Sequence, residues 1–169
     1  TKDRWARLLS PLANSTLLRA TYEMRAPLEA LRYWIQARSA FSKHLTPGDG
    51  RPIMVIPAFL CSDLQTWALR RFLQKLGYTT FAWNQGINWG PQPGVRTRLL
   101  HRVNQIKEIY EQPVTLVGWS LGGYYAREIA SVRPDLVREV VTLGSPLHGT
   151  PSSTAVWRVF RWINHKYMP

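Results

Sequence analysis

The chain holds one cysteine, Cys61, so no internal disulfide can staple it, and its thiol content does not mark an oxidising compartment. The cytoplasm is the default expectation, extended to the periphery of a membrane. Four histidines and that thiol show no metal-ligand spacing. No Walker-type loop or dinucleotide glycine pattern occurs either, so neither a metal nor a cofactor is expected. No apolar run approaches the roughly eighteen residues that span a bilayer. Thr1 to Leu9 carry too many charges to form the apolar centre of a secretory signal. Acidic residues are few: 10 Asp and Glu stand against 22 Lys and Arg, a formal net charge of +12. That excess is spread along the chain, with no basic stripe interleaved with stacking aromatics, so nucleic acid is not an expected partner. The readings left for it are a solvated basic surface and contact with anionic lipid.

Hydrophobic residues make up 45% of the 169, enough to bury the core of one domain. Eight tryptophans are many for this length. Trp5, Trp34, Trp157 and Trp162 lie near arginines in helical-looking stretches, which suits either packing or a lipid surface. Residues 1–50 read as an interrupted helical extension, with breaks or starts at Pro11 and Pro27 and one apolar side formed by Leu28, Leu31, Trp34 and Ile35. The turn from Thr46 to Gly50 separates it from a core spanning 51–169. There the pattern alternates. A strand from Pro52 to Ile56 is followed by a helix capped by Ser62 and ended by Gly77, then by a strand from Tyr78 to Trp83. A loop from Asn84 to Gly94, a helix to Tyr110, a strand from Val114 to Val117, a further helix and a strand from Val137 to Leu143 complete the series. Such alternation implies crossover connections and therefore an α/β fold, a mainly parallel sheet with flanking helices. Ligands of such sheets gather at the carboxyl ends of the strands.

The run Val114-Thr115-Leu116-Val117-Gly118-Trp119-Ser120-Leu121-Gly122-Gly123 is the most informative segment. A β-branched strand leads into Gly-x-Ser-x-Gly, and a helix-compatible stretch from Tyr124 to Val132 follows. The bland reading is a tight strand-to-helix turn of an ordinary α/β protein. The functional one is a nucleophile elbow: a serine hydroxyl is a weak nucleophile and must be presented where a base can reach it. Gly118 and Gly122 leave out side chains where strand and helix crowd together. The helix after Ser120 aims unpaired N–H groups at a centre where negative charge develops during acyl transfer.

Two further segments make the chain resemble the α/β-hydrolase superfamily, bacterial lipases and esterases in particular, over roughly residues 51–155. Ile53 to Leu60 is similar to the family's strand ending in a His-Gly-apolar turn, although Pro57 and Ala58 stand where His and Gly are usual. Leu143 to Thr150 is similar to a Gly-Ser-Pro-x-x-Gly run after the following strand, and Asn84 to Pro91 to a loop bordering the pocket. The resemblance implies a serine hydrolase acting on carboxylic or lipid esters. Ser120 would be its nucleophile, the backbone N–H groups of Leu121 and Phe59 its oxyanion donors, and Leu60, Trp89, Trp119 and His148 its pocket lining. It also requires an acid and then a histidine after the serine. Glu128 belongs to the helix behind Ser120, and Asp135 and Glu139 to the amino end of the next strand; His148 and His165 are weak candidates for the base, and His44 and His101 precede the serine. The core is therefore read as incomplete at its C-terminus, with acid and base beyond Pro169 and these 169 residues inactive by themselves. Acyl transfer or thioester cleavage at the same serine, or a non-catalytic member of the fold docking on anionic membrane, are the alternatives. Oligomeric state is not legible.

Overall fold

The computed structural model describes residues 46–145 and 155–167. The helical extension expected over 1–50 lies outside them but for its last five residues, and so does His148. Strand β1, Pro52–Ile56, is followed by helix α1, Asp63–Lys75, and strand β2, Thr79–Ala82. Helix α2, Val95–Tyr110, leads to strand β3, Val114–Trp119, and helix α3, Leu121–Val132. A 3-10 turn, Pro134–Leu136, precedes strand β4, Val137–Leu143; helix α4, Ala155–Asn164, comes last and runs into a second 3-10 turn, His165–Tyr167.

The four strands form one parallel sheet in the order β2-β1-β3-β4. Alternate side chains divide between its faces, as the two-residue period of a strand requires. Met54, Ile56, Val114 and Leu116 share a core with Leu99, Val103 and Ile106 of α2 and Tyr125, Ala126 and Ile129 of α3. On the other face Ile53, Val55 and Val117 pack against Leu69 and Leu73 of α1 and against Tyr78. Helix α1 starts at a complete capping box: the Ser62 hydroxyl accepts from the Leu64 N–H, and the Gln65 side chain accepts from the Ser62 N–H at 2.7 Å.

Two boundaries depart from the sequence expectation. β2 is shorter than Tyr78 to Trp83 because both flanking N–H groups are engaged elsewhere: Tyr78 donates to the Leu73 carbonyl at 3.1 Å and Trp83 to the Asp63 carboxylate at 2.9 Å. β3 runs two residues past Val117, since Gly118 and Trp119 still pair with Thr142 and Leu143. α3 starts at Leu121, directly after the serine, where a helix was expected. The tryptophans are also less internal than a core role would make them. Of those whose side chains are described, Trp83 is buried, Trp119 is half-buried, and Trp67, Trp89 and Trp162 are exposed.

Candidate active site

β3 and α3 meet too closely for side chains at Gly118 or Gly122. A Cβ on Gly118 would collide with the backbone of Gly122 and Gly123, and one on Gly122 with the carbonyl groups of Ile56 and Pro57. The second contact sets the first turn of α3 against the carboxyl end of β1. Between the two glycines the chain reverses at Ser120, whose backbone sits at φ 50° and ψ −112°. A non-glycine residue at positive φ costs on the order of 1–3 kcal/mol and persists only where its surroundings hold it. Here the Ser120 N–H donates to the Leu143 carbonyl at 2.8 Å. Its carbonyl accepts from the Gly123 N–H at 2.9 Å and from the Ser145 hydroxyl at 2.7 Å. Ser120 is half-buried, outside regular helix, and its hydroxyl has no hydrogen-bond partner among the described residues.

Beyond β1 the chain turns again. The Cys61 N–H donates to the Ala58 carbonyl at 3.1 Å, closing a turn with Phe59 second and Leu60 third, Leu60 at φ 60°. Neither the Phe59 N–H nor the Leu121 N–H has a partner among the described residues, so both donors are available on one rim of the sheet. The turn is tied to the loop after β2. The Leu60 N–H donates to the Asn88 carbonyl and the Asn88 N–H to the Cys61 carbonyl, both at 2.8 Å. Asn88 is wholly buried; its side chain donates to the Pro57 carbonyl at 2.9 Å and accepts from the Gly90 N–H at 3.1 Å. Helix α4 leans on both loops. Phe160 packs edge-on against Phe59 with ring centroids 5.0 Å apart, and Asn164 donates to the Trp89 carbonyl at 2.9 Å.

Of the expected site residues, Ser120, Leu121 and Phe59 stand on this rim. Leu60 and Trp89 are exposed on its loops, and Trp119 is half-buried beside the serine. No described carboxylate or imidazole is hydrogen-bonded to Ser120. Glu128 pairs with Arg96 at 3.0 Å, and Glu139 accepts from Arg51 at 3.3 Å. Asp135 accepts from Arg133 at 2.7 Å; that bond, with help from Lys107, holds its carboxyl well below the ordinary carboxylate range. His101 is exposed on α2, and the exposed His165 ring nitrogen lies 2.9 Å from the Trp162 carbonyl. Burial pushes the Cys61 thiol up, away from the thiolate a nucleophile needs. No group of three or more His, Cys, Asp or Glu among the described residues is placed to hold a metal ion. No helix among them is long and apolar enough to cross a membrane.

Sequence reasoning missed Ser145 and Asn88 as supports of this rim. Both lie in segments it singled out, but each acts on a residue far along the chain, which local pattern does not reveal.

The family model described as alpha/beta hydrolase fold matches residues 51–168. Among solved structures, a monoacylglycerol lipase from Paleococcus ferrophilus superimposes with a TM-score of 0.51 at 19% identity, over 73% of this chain and 49% of that one. A marine microorganism esterase gives a TM-score of 0.51 at 11% identity, over 73% and 49% of the two chains. The chain thus spans about half the length of these structures, and at such identity the likeness is one of fold. No curated protein matches it by sequence.

Proposed function

The chain belongs to the alpha/beta hydrolase family, and from that premise we propose that Ser120 is the nucleophile of a serine-dependent carboxylic-ester hydrolase of lipase or esterase type. The observation that carries the reading is the backbone at Ser120, held at positive φ by three hydrogen bonds at the carboxyl end of β3 and the start of α3. In the proposed mechanism the Ser120 hydroxyl oxygen attacks the ester carbonyl while a histidine takes its proton. The N–H groups of Leu121 and Phe59 hold the oxyanion of the tetrahedral intermediate. Collapse expels the alcohol, protonated by the same histidine, and water then releases the acid from the acyl-serine by the reverse roles. No described residue is assigned as that histidine or its acid, so the test uses the full-length protein. A fluorophosphonate probe is expected to label it, and Ser120→Ala to abolish labelling and lower ester turnover by at least ~10⁴-fold. Labelling that survives the substitution would refute the assignment.

The substrate side of the reading is a lipid surface. Leu60, Ile87, Trp89, Val159 and Trp162 are exposed on the two rim loops and on α4, Trp162 to 78%. Residues 57–62, 84–94 and 155–167 contain no Asp or Glu, while Arg161 and Lys166 are exposed among them. Apolar rings flanked by exposed cations suit an anionic interface, the charges attracting and the rings inserting. The protein is expected to co-sediment with vesicles containing phosphatidylglycerol, more weakly at high salt and after Trp162→Ser. Equal binding to pure phosphatidylcholine would remove the electrostatic part of this reading.

A further inference from the structure

We propose that Asn88 is a positioning residue that fixes the Phe59 N–H in its oxyanion-binding place, an inference that rests on Ser120 being the nucleophile. A fully buried asparagine in a loop has to satisfy its polar groups, and Asn88 does so, with backbone and side chain together, on both sides of a single turn. Its backbone receives the Leu60 N–H and reaches the Cys61 carbonyl, while its side chain reaches the Pro57 carbonyl 31 residues back along the chain. These three contacts bracket Ala58 and Phe59. The turn closes between Ala58 and Cys61, and Phe59 occupies its second position, whose N–H takes no part in the closing bond. The fourth contact, from the Gly90 N–H to Asn88 Oδ1, orients the amide so that its NH₂ faces Pro57.

The backbone bonds would survive any substitution. Only the bond to Pro57 and the bond from Gly90 depend on the side chain. Pro57 has no N–H of its own, and its carbonyl, with that of Ile56, is also where the first turn of α3 comes closest to β1. The Asn88 amide therefore ties the Phe59 turn at the same spot where Gly122 fits, between the two proposed donors. An oxyanion donor acts on the transition state far more than on bound substrate, so a loosened turn should lower kcat with little change in KM. That split separates positioning from pocket lining.

The experiment compares the full-length protein with Asn88→Asp, Asn88→Leu and Ser120→Ala on a soluble p-nitrophenyl ester. Asn88→Asp keeps the shape but turns an acceptor on the Pro57 carbonyl. Its kcat is expected to fall about 10- to 100-fold, less than the ~10²- to 10³-fold that follows outright loss of an oxyanion donor, with KM within about twofold of the parent. The variant's kcat relative to the parent should rise as pH is lowered, because a protonated carboxyl again donates to Pro57. Asn88→Leu should show a loss of kcat without that pH-dependent recovery. Circular dichroism and the thermal midpoint identify a variant that has not folded; if Asn88→Asp does not, the kcat-against-KM split in Asn88→Leu decides. Unchanged kcat in a folded variant, or a change confined to KM, overturns the proposal. If Ser120→Ala retains activity, the nucleophile assignment fails instead, and the two failures stay distinct.

Discussion

Around the amino ends of the strands, beside backbone bonds such as that from the Gly50 N–H to the Gly77 carbonyl, the chain is tied by ion pairs between partly exposed side chains: Arg51 with Asp49 and Glu139, and Arg133 and Lys107 with Asp135. Around the carboxyl ends it is tied by backbone groups and buried amides, and three of its four described non-glycine residues at positive φ, Leu60, Asn84 and Ser120, lie there. The first kind of contact is adjustable and screened by solvent. The second tolerates little displacement, because a buried carbonyl or a close backbone contact has no alternative partner. One sheet thus combines a forgiving edge with a rigid one, and the chemistry is proposed for the rigid one, where strain can be held without drifting.

The widest separation between the two ends is expected from Gly122→Ala. The added methyl would press on the Ile56 and Pro57 carbonyl groups, which belong to a central strand and its turn and cannot rotate away. Overpacking of this kind costs about 3 kcal/mol, measurable as a fall in the urea midpoint at unchanged slope. A loss no larger than that of a surface substitution would erase the contrast. Ser145→Ala should come next. It removes the hydroxyl that donates to the Ser120 carbonyl at 2.7 Å, a half-buried bond worth about 1 kcal/mol. Because the bond holds the strained turn, fluorophosphonate labelling of Ser120 should slow as well. A stability loss without slower labelling would show that the turn is held by the Leu143 and Gly123 bonds alone.

The same contrast explains what could be read from the sequence. β1 was expected over the residues it occupies, and Ser62 was expected to cap the helix it caps, since both depend on local pattern: a short apolar run, and a serine before a helical period. The turn at Ser120 was equally visible, because glycine spacing records a close contact directly in the chain. Its supports were not. Asn88 acts on Pro57 at a separation of 31 residues and Ser145 on Ser120 at 25, and nothing near either residue announces the partner. β2 was read too long for a related reason: Tyr78 and Trp83 suit a strand, but their N–H groups are claimed by the end of one helix and the start of the same helix's first turn. Trp162 was left open between packing and a lipid surface, since hydrophobic character alone does not tell a core ring from an exposed one, and it is exposed.

The smallest effect is expected at the forgiving end, from Asp135→Asn. Hydrogen bonds from Arg133, with Lys107 beside them, depress the Asp135 carboxyl in the folded protein. A depressed folded pKa means that the unfolded chain binds the proton first as pH falls. The contribution of the pair is therefore fully present above the ordinary carboxylate value of about 4 and is lost progressively as pH drops through the folded value. Both partners are open to water, so the contribution is slight and falls with added salt. Thermal midpoints of the parent and of Asp135→Asn should differ a little at neutral pH and low ionic strength, and converge both in high salt and as the solution is acidified below that value. A difference that persisted at acid pH would mean that Asp135 stabilises the turn before β4 by shape rather than by charge, and the amino end would then be less forgiving than its ion pairs suggest.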